Sequence, residues 1–288
     1  LRGKMRLGRS VKKAINPHDK RLFSDWEFDA KGEMLASPTI YISHRDKKEH
    51  VLVATKAGAC YQLSSEGKIE WIFQGKEQVS VQESFFLDEA TEHSFNASPV
   101  VDSIDDAQTQ VILLAAESGV VYCLDTRGEL LWKHATGGPI RASPYIRKSK
   151  ERDEREVIVA SHDGNAYSLS PQGIVTRTFE VGSPIQTAPV FLGELMIVGT
   201  DDGTVVGINY NADEEVWSLK TTEKITADIT VTPLFSQGPP ILLIGSNDQN
   251  VYATTKLGEV LWSFPSRGAI TSSVAAMDIN NDKHRFSW

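Results

Sequence analysis

Apolar and polar positions follow one pattern that recurs five times along this chain. Each copy runs through an apolar stretch, a first turn, a short apolar or aromatic stretch and a second turn, and closes on an aromatic residue. The copies are Val51–Trp71, Val111–Trp132, Val157–Phe179, Met196–Trp217 and Ile241–Trp262. A small residue followed by Pro accompanies each copy: Ser37-Pro38, Ser98-Pro99, Ser143-Pro144, Ala188-Pro189 and Thr232-Pro233. These steps lie 61, 45, 45 and 44 residues apart. A period near 45 with four short strands per unit predicts an all-β chain, a β-propeller of four-stranded antiparallel blades with WD40-like architecture.

The second copy shows how the residues make a blade. Asn96–Val101 reads as a first strand, entered through a Pro that cannot sit inside a ladder. Val111–Ala115 is apolar throughout, as a strand buried on both faces requires. Glu117-Ser118-Gly119 turns the chain into a third strand, Val120–Leu124. Asp125–Gly128 turns it again into a fourth, Glu129–Lys133, which carries Trp132. In three copies Trp follows the second-turn Gly by four residues: Gly67/Trp71, Gly128/Trp132 and Gly258/Trp262. Trp71, Trp132, Trp217 and Trp262 are therefore expected to be inter-blade packing anchors that fill the wedge between neighbouring twisted sheets, each indole N–H finding one acceptor. In the third copy Arg177 holds the Trp position, and Phe179 is expected to substitute for it.

The two ends complement each other. Ser24–Phe28, with Trp26, reads as a lone fourth strand and Ile270–Ala276 as a lone first strand. Together they predict a blade closed by strands from both termini, about six blades in all, or seven or eight in a longer parent chain. Two insertions break the period, Gln74–Asn96 and Arg147–Glu156.

Charge separates a head from a body. Residues 1–21 hold eight Lys/Arg and one acid, a net of +7, so the rest carries −15 of the total −8. We read 1–21 as a basic N-terminal arm suited to peripheral contact with an acidic surface, and 22–288 as a single propeller domain. The acidic body argues against nucleic acid as a partner, because phosphate binding needs a basic surface. No apolar run approaches the ~20 residues that span a bilayer, and the basic head lacks the apolar stretch of a signal peptide. Cys60 and Cys123, both in third strands, are expected on the same blade side as small buried hydrophobes.

The stretch VYCLDTRGELLW, with Gly119, Tyr122, Leu124, Gly128 and Trp132, resembles the pyrroloquinoline-quinone-type β-propeller repeat. The resemblance covers roughly residues 24–278. That family includes quinone-dependent alcohol dehydrogenases, the outer-membrane β-barrel assembly lipoprotein and sensor or adhesion ectodomains, so the resemblance implies a fold and leaves the activity open. The dehydrogenases carry adjacent cysteines at the quinone site, and this chain has none. The resemblance therefore implies the non-enzymatic branch, without pyrroloquinoline quinone, and a periplasmic or extracellular location. Asp278, Asn280 and Asp282 are similar to the calcium loops of integrin-type propellers, with oxygen ligands at alternate positions for a hard cation. Lys283 stands where those loops place Gly.

Other chemistry is sparse. The seven histidines show no metal spacing, and no nucleophile elbow or phosphate-binding Gly loop occurs. Turns between second and third strands carry Glu117, Asp163, Asp201, Asp202 and Asp248, with His162 nearby. They suit a basic partner or a cation, and equally serve as plain turn formers. These acids, with the Gln74–Asn96 insertion and its Phe85 and Phe86, form the expected contact surface of a non-enzymatic scaffold that binds another protein. The alternative is a module that senses a glycan, peptide or calcium in the central funnel.

Overall fold

The computed structural model describes residues 4–8, 24–75, 77–79, 94–105, 107–148, 155–233 and 238–276. Among the described residues every regular element longer than a turn is a β-strand. The chain divides into two compact units, Leu1–His134 and Ala135–Trp288.

In the first unit, β1 (Lys4–Gly8) pairs antiparallel with β2 (Ser24–Asp29), from Lys4 opposite Asp29 to Gly8 opposite Ser24. The first blade is β3 (Thr39–Ile42), β4 (Glu49–Ala54), β5 (Cys60–Ser64) and β6 (Ile69–Gln74). A fifth strand, β7 (Glu77–Val79), adds to its outer edge. The second blade is β8 (Val100–Ser103), β9 (Gln110–Ala115), β10 (Val120–Asp125) and β11 (Leu130–Ala135).

The second unit holds three blades. They are β12 (Tyr145–Lys148), β13 (Arg155–Ala160), β14 (Asn165–Leu169) and β15 (Val175–Glu180); β16 (Val190–Leu192), β17 (Leu195–Gly199), β18 (Thr204–Asn209) and β19 (Glu214–Lys220); and β20 (Thr230–Pro233), β21 (Pro240–Gly245), β22 (Asn250–Thr255) and β23 (Val260–Pro265). Every blade is antiparallel with strands in chain order, the arrangement of a β-propeller.

The core lies in the seams between blades. Second and third strands are buried on both faces, and alternate residues face alternate seams. Leu52, Cys60, Phe73, Ile112, Leu114, Tyr122 and Leu124 fill the seam between the first two blades. Ile158, Phe179, Met196, Val198 and Ile208 fill the next seam of the second unit, and Ile197, Val205, Leu242 and Ile244 the one after. Each fully buried Leu, Ile or Phe contributes roughly 1.5–3 kcal/mol relative to exposure. Cys60 and Cys123 are free and buried.

Several expectations change. Residues 4–8 of the basic arm form β1, and β2 is paired with it rather than alone. Trp26 on β2 meets the first blade as a fourth strand does, so β1 and β2 form the outer half of a blade preceding it. Residues 270–276 form no strand, so no strand from them joins β1 and β2. Ile270 nonetheless repeats the entry of an earlier blade: its N–H donates to Ser246 O at 3.2 Å, as that of Ile225 does to Thr200 O at 3.0 Å.

The Thr232-Pro233 step is out of register with the others. It closes β20 opposite Ile241 and Pro240. The residue equivalent to Ser98 is Asp228: Ser98 Oγ accepts from Ser37 N at 3.1 Å, and Asp228 Oδ1 from Ala188 N at 2.7 Å. A carboxylate here does the work of the repeat's hydroxyl, which the Ser-Pro pattern does not reveal.

Candidate functional site

The acidic turns sit where second strands pass into third strands, and their carboxylates are engaged within the fold. Asp163 Oδ1 accepts from Asn165 N at 2.9 Å and Oδ2 from Tyr167 Oη and Gly137 N, both at 2.7 Å. Asp248 repeats the set with Asn250 N at 2.9 Å, Tyr252 Oη at 2.7 Å and Thr222 N at 3.4 Å. Gly137 and Thr222 belong to the loops leaving a fourth strand, so each carboxylate ties a turn to the neighbouring loop on the same face. Burial pushes both carboxyls up, but the hydrogen bonds from tyrosine, asparagine and backbone outweigh it and hold them below the usual range. Burial and Asp248 together push the Tyr252 phenol up to about 12.

The remaining acids are engaged too. Asp202 accepts from Thr200 Oγ1 at 2.6 Å and Lys220 Nζ at 2.9 Å, which overcome burial and lower its pKa. Asp201 accepts from Gln186 Nε2 at 2.7 Å and faces Lys224 Nζ at 3.4 Å. Glu117 Oε2 accepts from Asn96 Nδ2 at 3.0 Å. Each of these carboxylates thus shapes its own turn.

The Gln74–Asn96 insertion leaves and rejoins the first unit on the side of that unit's own second-to-third-strand turns. Gln74 ends β6, residues 77–79 form β7, and Phe95 is fully buried in the seam. Phe95 N donates to Thr55 O at 3.1 Å and Glu117 N to Ser94 O at 2.8 Å. The insertion proper is therefore residues 80–93. Phe85 and Phe86 lie outside the described residues, as do Asp278, Asn280 and Asp282. Among the described residues no group of three or more His, Cys, Asp or Glu is placed to hold a metal ion, and no helix is long and apolar enough to cross a membrane.

The tryptophans make one recurring contact. Trp26 Nε1 donates to Ser65 O at 2.9 Å, Trp71 Nε1 to Thr126 O at 3.4 Å and Trp217 Nε1 to Lys256 O at 2.9 Å. Each acceptor lies two residues before the Gly of the following blade's last turn: Gly67, Gly128 or Gly258. The rings of Trp26 and Trp217 cover Gly67 and Gly258, where a Cβ would come within 2.5 Å of them. Trp132 and Trp262 hold the matching positions on β11 and β23 and are partly buried.

Arg177 performs this contact in the third blade. It pairs with Ser168 as Trp71 pairs with Gln62. Its Nη1 donates to Tyr210 O at 2.5 Å, and its guanidinium lies 5.3 Å from the centre of the Tyr210 ring. Phe179 does not replace Trp: it lies two residues on, is fully buried, and matches Phe73 of the first blade.

Two buried polar clusters escaped the sequence reading. In the seam of the first unit, Tyr41 Oη donates to Gln62 Oε1 at 2.6 Å, and Gln62 Nε2 to Glu70 Oε2 at 2.8 Å. His50, only 1% exposed, meets Glu70 at 2.7 Å and Asp46 at 3.2 Å through its two ring nitrogens. In the second unit, Arg147 pairs with Glu194 and lies 3.7 Å from Glu156. Its guanidinium stacks 4.1 Å from the Tyr210 ring centre, and Tyr210 Oη donates to Glu156 at 2.7 Å. A signal existed: His50 and Glu156 open second strands where Val111, Leu195 and Ile241 open the others. Each cluster runs from a buried residue to the surface, where the side chains of Glu70 and Glu194 are 33% and 27% exposed.

The repeat matches a known family over more than half of the chain. The family model described as outer membrane protein assembly factor BamB matches residues 117–283. The chain belongs to the BamB family. Among solved structures, BamB from Moraxella catarrhalis is 16% identical with a TM-score of 0.55, covering 90% of this chain and 84% of its own. BBS1N, solved in complex with ARL6DN, is 15% identical with a TM-score of 0.62, covering 86% of this chain and 73% of its own. The computationally designed Ika8 protein is 17% identical with a TM-score of 0.60, covering 87% and 67%. These likenesses show the fold. No curated protein sequence matches the chain.

Cys60 and Cys123 are buried in separate blades. Burial pushes the Cys123 thiol up to about 12 and the Cys60 thiol higher still.

Proposed function

We propose that this BamB-family chain is a non-enzymatic scaffold that binds another protein through the face bearing the second-to-third-strand turns. Its membership of an assembly-factor family, matched over residues 117–283, carries this reading. The geometry supports it. Carboxylates and tryptophans spend their hydrogen bonds stiffening blades and turns, which leaves variable loops free to differ on a constant frame. The contact surface we infer is made of residues 80–93, with Phe85 and Phe86, and of the turns of Glu117, Asp163, Asp201, Asp202 and Asp248. The carboxylates hold the turns in shape. The reading requires no cofactor and no calcium, and the acidic body disfavours nucleic acid as the partner.

Affinity capture tests it, comparing the full chain with a variant whose residues 80–93 are a short Gly-Ser linker. β7 and Phe95 stay in place, so the seam is kept. Loss of a specifically captured protein in the variant is the expected result. An unchanged set of captured proteins rejects the role of that segment.

A further inference from the structure

His50 is a buried titratable side chain that the scaffold reading leaves unused. It stands at the start of β4, is 1% exposed and has a carboxylate on each ring nitrogen. Glu70 Oε2 lies 2.7 Å from Nδ1, and Asp46 Oδ1 lies 3.2 Å from Nε2. A neutral imidazole has one N–H and one lone pair, so it satisfies one carboxylate and turns a lone pair on the other. The doubly protonated ring satisfies both. The third blade repeats this arrangement with a permanent cation. Arg147 pairs across the ladder with Glu156 as Tyr41 does with His50, and its guanidinium faces both Glu156 and Glu194. A guanidinium keeps its proton, whereas histidine is the side chain whose charge ordinarily changes between about pH 5 and 8.

Asp46 belongs to the turn between β3 and β4, residues 43–48. Lys47 N donates to Ser43 O at 2.9 Å and Lys48 N to Asp46 Oδ1 at 3.1 Å. The same turn reaches the second blade. His44 N donates to Gln110 Oε1 at 2.5 Å, His44 Nδ1 to Gln108 O at 3.1 Å, and Gln110 Nε2 to Ile42 O at 3.0 Å. Around His50, β3 brings the Tyr41 ring at 5.4 Å, and β5 brings Gln62, which donates to Glu70 at 2.8 Å. Glu49 adjoins it on β4, and Arg45, Lys47 and Lys48 are exposed on the turn. The core shared with the second blade contributes Val101, Ile112 and Leu124, none of which titrates. His44 needs a proton on Nδ1 alone, which a neutral tautomer supplies.

We infer that His50 is a proton-operated latch on the seam between the first two blades. With both nitrogens protonated, the ring ties the turn 43–48 to β6. Loss of the Nε2 proton to water breaks the longer contact, to Asp46, and keeps the shorter one, to Glu70. The side chains of Asp46 and Glu70 are 29% and 33% exposed, so the buried ring reaches solvent through them and Asp46 has water to turn to. The turn then loosens, and with it the bonds of Ile42 and His44 to the second blade.

The latch needs no partner and is independent of the scaffold reading. Amide exchange of the full chain tests it, as protection factors from which the intrinsic effect of pH is removed, together with nitrogen spectra of the histidine rings. From about pH 5 to 8 the His50 ring is expected to pass from two protonated nitrogens to Nδ1–H alone. Protection of residues 43–48 and 108–110 is expected to fall about tenfold over that range, the loss of one charge-assisted bond. Residues 192–195, the turn that carries Glu194 to Arg147, should keep theirs. The step should vanish in Asp46→Asn and in His50→Gln, and persist in His44→Asn, whose amide copies the Nδ1 donor. A step of equal size in Asp46→Asn, or one that vanishes in His44→Asn, overturns the inference. So does unchanged protection while the ring loses a proton, retention of the Nε2 proton in place of that on Nδ1, or a ring that keeps one charge state throughout.

Discussion

Trp217 lies on Gly258. The indole Nε1 donates to Lys256 O at 2.9 Å, and a Cβ on Gly258 would stand 2.5 Å from ring atom Cε3. The glycine also has φ +77°, which side chains disfavour. One residue thus meets two demands, a left-handed turn and a flat surface for the preceding blade's ring. Gly258→Ala is expected to cost about 3 kcal/mol by strain and overpacking together. Gly182→Ala is the control: φ is +83° there, but nothing lies within 4 Å, so about 1 kcal/mol is expected. Urea denaturation of both variants measures the difference.

Arg177 should accept the residue it replaces. Its Nη1 bonds Tyr210 O at 2.5 Å, in the way an indole N–H bonds the next blade's turn elsewhere. Arg177→Trp is expected to stay within about 1 kcal/mol of the unaltered chain, and Arg177→Ala to lose about 1–2 kcal/mol. Thermal denaturation followed by circular dichroism ranks them.

Arg147 is a different case, because its partners are carboxylates. It is 7% exposed and faces Glu194 and Glu156. Removing the cation strands two acids in a seam. Arg147→Ala is expected to lose about 3–5 kcal/mol. Arg147→Met with Glu156→Gln and Glu194→Gln should recover most of it, and chemical denaturation of the triple variant checks that.

The turn carboxylates give stability a sign in pH. Asp163 and Asp248 have folded pKa values below the ordinary 3.8. Their contribution is present in full above that value and lost as pH falls through the folded one. Asp163→Asn with Asp248→Asn should therefore be less stable than the unaltered chain at pH 7, by about 1–2 kcal/mol in total after screening. The gap should close as pH falls below about 3.8. Denaturation midpoints across pH 2.5–7 read this directly.

The sequence makes most of the frame legible because the repeat writes it locally. Gly128 and Trp132 mark a turn and its closing strand within one blade. Features that depend on a neighbouring blade are not written that way. Asp228 accepts from Ala188, 40 residues earlier, and nothing in a Ser-Pro pattern marks it. His50 and Glu156 stand just ahead of the apolar runs of β4 and β13, yet Glu70 and Tyr210, which explain them, lie 20 and 54 residues away. The acids were legible as turn residues. That Gly137 and Thr222 bind their second oxygens depends on the loops of adjoining strands.

The most direct test of the account sets two variants side by side in one affinity capture. One carries the Gly-Ser replacement of residues 80–93, the other Asp163→Asn with Asp248→Asn. If loops recognise and carboxylates only hold the frame, the first variant keeps its melting temperature and loses the partner. The second melts lower and keeps the partner. A partner retained by the first variant and lost by a still-folded second would contradict the account.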